Sequence, residues 1–275
     1  MESTTGRLTP RYRVAMVGSG NVATHLVRSL ANDPAIDICA ISSRHAENAF
    51  SLADEISKPD CATDFESIAQ SRPDIIIVSV ADGALKSVVD KIGPINSNPL
   101  VLLTSGTMEK EILEYISPRT GVLYPLQTFS KNTPVDLSKV PFFTEAATPD
   151  DLFIADWLAS RMSPHVYHAD SAKRGILHIA GVFSSNFVDI LLESVEKILQ
   201  EGGYDLSTVK PLVEATVAKA FDVGPHQALT GPAKRGDMEV VALQHSRCPE
   251  ELKDSYRVLT QLITKFHNPH INCNL

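Results

Sequence analysis

Cysteine is sparse in this chain: four residues in 275, Cys39, Cys61, Cys248 and Cys273, with no CxxC pair among them. That scatter gives neither a zinc site nor a disulfide frame, so no metal is expected and the thiols read as reduced. Positive charge is in deficit, 25 Lys and Arg against 33 Asp and Glu, for a net charge of −8 without any basic block. A phosphate backbone calls for clustered Lys and Arg, which excludes a nucleic-acid partner and leaves room for a small anion in a local pocket. No apolar run approaches the roughly 18 residues of a spanning helix, and the polar stretch from Met1 to Arg11 lacks the apolar centre of a signal peptide. The expectation is a cytoplasmic chain with no membrane partner.

What remains is an ordinary globular composition, 43% hydrophobic and 21% charged, without repeats or low-complexity stretches. At this length two packed units are expected, because single cores stop growing near this size. The apolar run Tyr12 to Val17 leads through Gly18, Ser19 and Gly20 into a helical pattern, Asn21 to Asn32. Ile36 to Ile41 follows as a second strand, then a helix ending near Ile56, which completes a βαβ unit. Asp74 to Val80 is continuous, apolar and β-branched, as a central parallel strand buried on both faces should be, and Leu100 to Leu103 repeats the signature. Val122 and Leu123 begin another strand. Helical stretches are expected at Phe65 to Gln70, Gly83 to Ile92 and Lys110 to Ile116, and Val140 to His168 reads as strand, helix, strand. Alternation of this kind predicts an α/β fold, a doubly wound Rossmann-type parallel sheet, over residues 1–168. Residues 169–275 carry helical patterns alone and read as an all-helical second domain for substrate binding and dimerisation. Its clearest helix runs from Pro249 to Phe266, with Leu252, Tyr256, Leu259, Ile263 and Phe266 at helical spacing.

The segment VGSGNVA, Val17 to Ala23, matches G-x-G-x-x-A. Gly18 permits a tight turn, Gly20 lets backbone approach a pyrophosphate, and Ala23 allows close helix packing. Unpaired N–H groups at Gly20, Asn21 and Val22, beside Ser19, would hold the anion at a helix N-terminus. The motif alone is weak; following the first strand and opening a βαβ unit, it predicts dinucleotide binding. About 20 residues further on, where an NAD enzyme places Asp or Glu, stand Ser42, Ser43 and Arg44. Two hydroxyls and a guanidinium fit a 2′-phosphate, which makes NADP the expected cofactor over NAD and weakens an S-adenosylmethionine reading. Arg44 as a solvated helix-start residue is the bland alternative. Ligands of such sheets lie beyond the carboxyl ends of the strands, which adds Val80, Ala81, Asp82, Ser105 and Gly106 to the cofactor set. Ser105 reads equally well as a turn or cap serine.

The helix from about Ser171 to Leu199 is apolar around nearly its whole circumference from Ile176 to Leu192 and is expected to be buried. Polar groups inside it, His178, Ser184, Ser185, Asn186 and Asp189, need partners or a wet site. At 100° per residue His178, Val182, Ser185 and Asp189 share a face. His178 is therefore a candidate proton donor and Asn186 a candidate anchor; the alternative is a satisfied structural histidine. In TGPAKRGD, Thr230 to Asp237, Lys234 or Arg235 could hold an anionic substrate, while Asp237 suits an N-cap. LYPLQTFSK, Leu123 to Lys131, adds Gln127 and Thr128 as residues that could line a cleft between domains.

Taken together, VGSGNVA, TSGT at Thr104 to Thr107, YPLQTFS, HIAGVFSSNF at His178 to Phe187 and TGPAKRGD resemble an uncharacterised family of Rossmann-like NADP oxidoreductases. That family is similar to pyrroline-5-carboxylate reductase and, more distantly, to the 6-phosphogluconate and 3-hydroxyisobutyrate dehydrogenases. The resemblance implies a helical C-terminal domain and a homodimer built through its helices. Tyr124 departs from the histidine expected before the proline, and no lysine role carries over. The expected function is hydride transfer between NADPH and a small C=O or C=N substrate in an interdomain cleft. His178 would handle the proton, Asn186 orient the substrate, and Lys234 or Arg235 hold an anionic group. The alternative of a different class is a non-catalytic NADP-binding sensor or scaffold.

Overall fold

The four residues Ile75–Val78, all β-branched and all wholly buried, lie at the middle of an eight-stranded sheet. This computed structural model describes residues 11–271; the expectations for Met1 to Pro10 and for Cys273 lie outside the described residues. The strands are β1 (Tyr12–Val17), β2 (Ile36–Ser42), β3 (Ala62–Thr63), β4 (Ile75–Val78), β5 (Leu100–Leu103), β6 (Thr120–Pro125), β7 (Phe142–Ala146) and β8 (Val166–His168), in spatial order β3-β2-β1-β4-β5-β6-β7-β8. β1 to β6 are mutually parallel; β7 runs antiparallel to β6 and parallel to β8. Helices α1 (Asn21–Leu30), α2 (Ala46–Glu55), α3 (Asp82–Ile92) and α4 (Pro149–Ser160) cover the sheet, giving the expected Rossmann-type α/β architecture.

Strand alternation separates two cores even though β4 and β5 read as unbroken apolar runs. Val14, Met16, Ile75, Ile77, Leu100 and Leu102 enter one layer with Leu26 and Val27 of α1 and Leu158 of α4. Ala15, Val17, Ile76, Val78, Val101 and Leu103 enter the other, with Leu85, Val88 and Val89 of α3. The expected helices at Phe65 to Gln70 and Lys110 to Ile116 shrink to single 3₁₀ turns, Ile68–Ser71 and Lys110–Leu113. Arg72, with φ 48° in the left-handed region, closes the first of these and turns the chain into β4.

The chain divides into two compact units, Met1–Ser185 and Asn186–Leu275. The alternating pattern ends with β8, but the first unit continues through α5 (Ser171–Ser184), beyond the expected division at 168/169. Arg174 is the reason: it is wholly buried and donates from Nη1 to Glu145 of β7 and to the Ala169 carbonyl (3.2 Å), and from Nη2 to the Met108 carbonyl (3.0 Å). Asp170 caps α5 by accepting from Lys173 N at 2.9 Å.

The second unit holds α6 (Asn186–Glu201), α7 (Lys210–Val223), α8 (Pro225–Ala228), α9 (Pro232–Arg235), α10 (Met238–Arg247) and α11 (Lys253–His267). Asp237 caps α10, as its position before Met238 suggests, accepting from Val240 N at 3.4 Å. Among the described residues of this unit a single apolar side chain, Val241, is buried. The expectation that the apolar helix is buried therefore fails within one chain. Ile176 and Ile179 of α5 and Val188, Ile190 and Leu191 of α6 are exposed, as are Leu212 and Phe221 of α7. Across α5 and α6 together, Ser171–Glu201, an 18-residue window reaches a mean hydropathy of 1.6, enough by length and composition alone to cross a membrane.

Candidate functional site

Gly18 sits where β1 meets β4, at the reversal of strand order, with φ at +116° and its backbone packed so closely that a Cβ would lie 2.0 Å from the Ser79 carbonyl oxygen and 3.3 Å from Val80 Cγ1. Only glycine fits both the dihedral and the space. Gly20 presents the opposite case. It is the N-cap of α1 with ordinary extended backbone, no side chain caps the helix, and a Cβ there would meet nothing within 4 Å. The first helical hydrogen bond runs from Thr24 N to the Gly20 carbonyl (3.0 Å), so the N–H groups of Asn21, Val22 and Ala23 face outward without helical partners. An uncapped ten-residue helix opening on free space above a glycine is the cradle that a pyrophosphate needs.

At the end of β2 the three residues expected to recognise a 2′-phosphate separate. Ser42 is buried with its hydroxyl closed off and lacking a hydrogen-bond partner, while its carbonyl accepts from Gly18 N at 2.7 Å. It holds the loop and does not face a ligand. Ser43 Oγ lies 2.7 Å from Ser19 Oγ, which joins the two turns. Arg44 is exposed just before α2, and its guanidinium has no hydrogen bond or ion pair among the described residues. An unpaired cation beside an uncapped helix N-terminus fits the phosphates of NADP, and no carboxylate stands at this turn to favour NAD.

Loops after β4 and β5 are tied to each other. Thr107 Oγ1 donates to Asp82 at the first turn of α3, and Thr104 N donates to the Val78 carbonyl at 3.1 Å. Ser105 Oγ accepts from Thr107 N (3.1 Å) and Met108 N (3.0 Å), so it serves as the turn serine. Ala81 is the exposed N-cap of α3. Asn21 uses its side chain on the Phe129 carbonyl (2.8 Å), and His25 Nε2 lies 3.1 Å from the Thr133 carbonyl, which lays the loop after β6 along α1. Gln127 and Thr128 are exposed on that loop, with Gln127 Oε1 accepting from Thr128 N at 2.8 Å.

One feature of this edge is not legible in the sequence. Tyr124, near the end of β6, is buried, and its hydroxyl lies 3.4 Å from His178 Nδ1 of α5. Gly106 makes room for the pair: a Cβ there would lie 2.8 Å from Tyr124 Cζ and 2.9 Å from His178 Nδ1. Burial pushes the Tyr124 phenol above its ordinary pKa, so it stays protonated. His178 is thus half-buried beside a neutral phenol, at the carboxyl end of the same sheet that carries the glycine loop. The sole hint in the sequence was Tyr124 standing where a histidine was expected.

The remaining candidates are dispersed. Ser185 is the C-cap of α5 with φ −126° and ψ −76°, which interrupts the helix and ends the face expected to run from His178 to Asp189. Asn186 opens α6, exposed, in the second unit. Lys234 is committed locally, its ammonium donating to the carbonyls of His226 (3.0 Å) and Leu229 (2.7 Å) at the end of α8. That corrects its assignment as an anion anchor. Arg235 is exposed and free of hydrogen bonds and ion pairs among the described residues. Among the described residues no group of three or more His, Cys, Asp or Glu could hold a metal ion.

Comparison with known proteins bears on this arrangement. Residues 13–105 match the domain family described as NADP oxidoreductase coenzyme F420-dependent, and residues 140–263 match a domain of unknown function, DUF2520. No protein of curated function matches the chain. Among solved structures, a "putative NADP oxidoreductase" of Bacteroides fragilis is 30% identical with a TM-score of 0.83, over 93% of this chain and 98% of that one. A protein of Thermotoga maritima is 21% identical with a TM-score of 0.73, over 92% and 98%. The pyrroline carboxylate reductase of Plasmodium falciparum, solved with NADP bound, is 14% identical with a TM-score of 0.59, over 94% and 97%. The last two likenesses show the fold alone. Full-length likeness to the Bacteroides protein, joined to the glycine loop at the sheet's switch point, shows that the chain belongs to the family of Rossmann-type NADP oxidoreductases.

Proposed function

We propose that the protein transfers a hydride between NADPH and a small C=O or C=N compound. The observation that carries the reading is one sheet edge bearing both the uncapped α1 terminus at Gly20 and the Tyr124–His178 pair. Bound NADPH would supply the hydride. The chain's own work is then to hold the pyrophosphate on the N–H groups of α1, to take the 2′-phosphate on Arg44 with Ser43 and Ser19, and to offer a proton from His178. Arg235 is the residue of the TGPAKRGD segment with a head group free for an anionic substrate, and Asn186 remains a candidate for hydrogen bonding to it. The free thiols of Cys39, Cys61 and Cys248 accord with a reducing compartment such as the cytoplasm.

A homodimer through the C-terminal helices belongs to the same proposal. Phe221 is 88% and Leu212 68% exposed in a unit whose described residues bury one apolar side chain, which is far from a self-sufficient core. The thermal midpoint is expected to rise with protein concentration, as it does when folding and association are linked. A monomer at micromolar concentration in sedimentation would remove this part of the proposal.

The reaction is tested by following NADPH oxidation with keto acids, imines and cyclic imines, for wild type and His178→Ala, with NADH and reduced coenzyme F420 offered alongside. Turnover that collapses in His178→Ala supports the reading; tight NADPH binding without turnover on any class replaces it with the sensor. Cofactor choice is read from dissociation constants: Arg44→Ala is expected to weaken NADPH by about 10- to 100-fold, the range of a charged hydrogen bond, and NADH hardly at all. Equal affinity of wild type for the two would refute the role of Arg44.

A further inference from the structure

Tyr124 is where the geometry goes beyond the residues so far given roles. Its hydroxyl has one hydrogen to place and, among the described residues, one partner in reach, Nδ1 of His178 at 3.4 Å. Either nitrogen of a neutral imidazole can carry the hydrogen, and the contact made by one decides the other. Were Nδ1 protonated, it would point a hydrogen at the phenol oxygen and leave the buried phenol hydrogen without an acceptor. A buried donor left unpaired is costly enough to bias such an equilibrium by about tenfold. With Nδ1 accepting, the conflict disappears and the hydrogen of the ring resides on Nε2.

Packing keeps the two rings in this relation. The phenol of Tyr124 is backed by Phe143, its register partner on β7, at a centroid distance of 6.4 Å, and Phe143 stacks on Tyr167 of β8 at 5.6 Å. Gly106 is the floor beneath both rings and tolerates no side chain. Arg174, one helical turn before His178, ties α5 to the Met108 carbonyl just beyond Gly106. Loop, strand and helix therefore converge on a single imidazole.

We propose that Tyr124 is a positioning residue that donates to His178 Nδ1 and fixes the imidazole as the tautomer with its hydrogen on Nε2, the nitrogen on the far side from the phenol. This rests on the reading of His178 as the proton donor only for its consequence, since Nε2–H is then the bond offered to a substrate. The tautomer itself is open to measurement without substrate or cofactor.

The experiment is two-bond 1H–15N correlation on the full-length protein labelled with 15N-histidine, His178 being assigned by the signals lost in His178→Ala. Wild type is expected to show Nε2 protonated and Nδ1 bare. Tyr124→Phe keeps the ring and its packing and should lower the Nε2–H to Nδ1–H ratio at least about fivefold, with the thermal midpoint showing that it folds. Nδ1–H in wild type, or a ratio unmoved by Tyr124→Phe, overturns the proposal. In turnover assays Tyr124→Phe should lower kcat with little change in KM or in NADPH affinity. Full turnover in His178→Ala would remove the proton role of His178 and leave the tautomer assignment standing, so the two failures are separable.

Discussion

Arg174→Ala is the perturbation from which the first unit stands to lose most. The wild-type side chain is 0% exposed and is held by Glu145 and by the carbonyls of Ala169 and Met108. Truncation leaves one buried and one part-buried carbonyl without their donor, empties the volume of a wholly buried side chain, and removes the buried half of an ion pair. Breaking such a pair costs about 3–5 kcal/mol. Two features place Arg174 toward the lower end. Glu145 keeps Lys110 at 2.9 Å, and the Arg174 Nε already lacks a partner, so part of the desolvation cost disappears with the side chain. The expected loss is about 3 kcal/mol, or about 1 M in the urea midpoint for a chain of this size. The assay is Trp157 fluorescence: the sequence has one tryptophan, and it lies on α4 within the first unit, so the signal reports that unit at fixed protein concentration. The double variant Arg174→Met, Glu145→Met should be less destabilised than the two single changes added together, because neither member of the Arg174–Glu145 pair is left facing a missing partner and Lys110 keeps Glu111. A loss below about 1 kcal/mol for Arg174→Ala would refute the account of α5 as clamped through this guanidinium.

The two glycines of the cofactor loop should separate folding from binding: Gly18→Ala, forced against the Ser79 carbonyl at positive φ, should fail to fold, while Gly20→Val should keep its midpoint and lose NADPH affinity at least about tenfold. Titration of NADPH into folded Gly20→Val with unchanged affinity would contradict the cradle. Asp37, held below the usual carboxylate range by hydrogen bonding to Lys58 and by the charges of Lys58, Arg11 and Arg13, contributes stability that is present above its unfolded value and lost as pH falls through its folded one. The gap in urea midpoint between wild type and Asp37→Asn should therefore be widest at pH 7 and close progressively below about pH 4, and a gap that grows on acidification would reverse the sign argued here. Burial pushes the Cys61 thiol up to about 11, so at pH 7.5 it should resist iodoacetamide in the native protein and react fully in urea; rapid native labelling would mean that the loop holding it opens.

How much of this was legible in the sequence follows the range of the interactions involved. Gly18 and Gly20 are readable because their work is local: a turn, a close strand, a helix start, all within one short motif. The strands β4 and β5 are readable because double-sided burial leaves a continuous apolar run, and only the ends are trimmed, where Ser79 and Val80 turn toward the loop. At Ser42 to Arg44 the composition pointed to the right turn but could not say which hydroxyl faces inward. The end of β2 decides that: Ser42 is its last residue and is buried with the strand, while Ser43 and Arg44 lie beyond it, half-buried and exposed. Lys234 fails for a similar reason, since the acceptors that claim its ammonium belong to a neighbouring short helix whose C-terminal carbonyls no motif announces.

Tyr124 and α5 mark the two limits of such reading. Tyr124 meets His178 across 54 residues, and beyond Tyr124 standing in place of an expected histidine nothing in the sequence signals the meeting, because strand pairing and the Arg174 clamp create it. Apolar residues on every side of α5 and α6 were a correct signal with the wrong inference attached. A helix apolar all round must be covered, but periodicity does not say by what. Within the chain, Ile176 remains 70% and Ile179 61% exposed, although Arg174 two residues before Ile176 is wholly buried. One face of α5 is thus fixed by a charge to the sheet, while its apolar faces are left uncovered by the described residues. The polar anchor makes the helix part of the first unit, and its exposed apolar faces are what the proposed homodimer would cover.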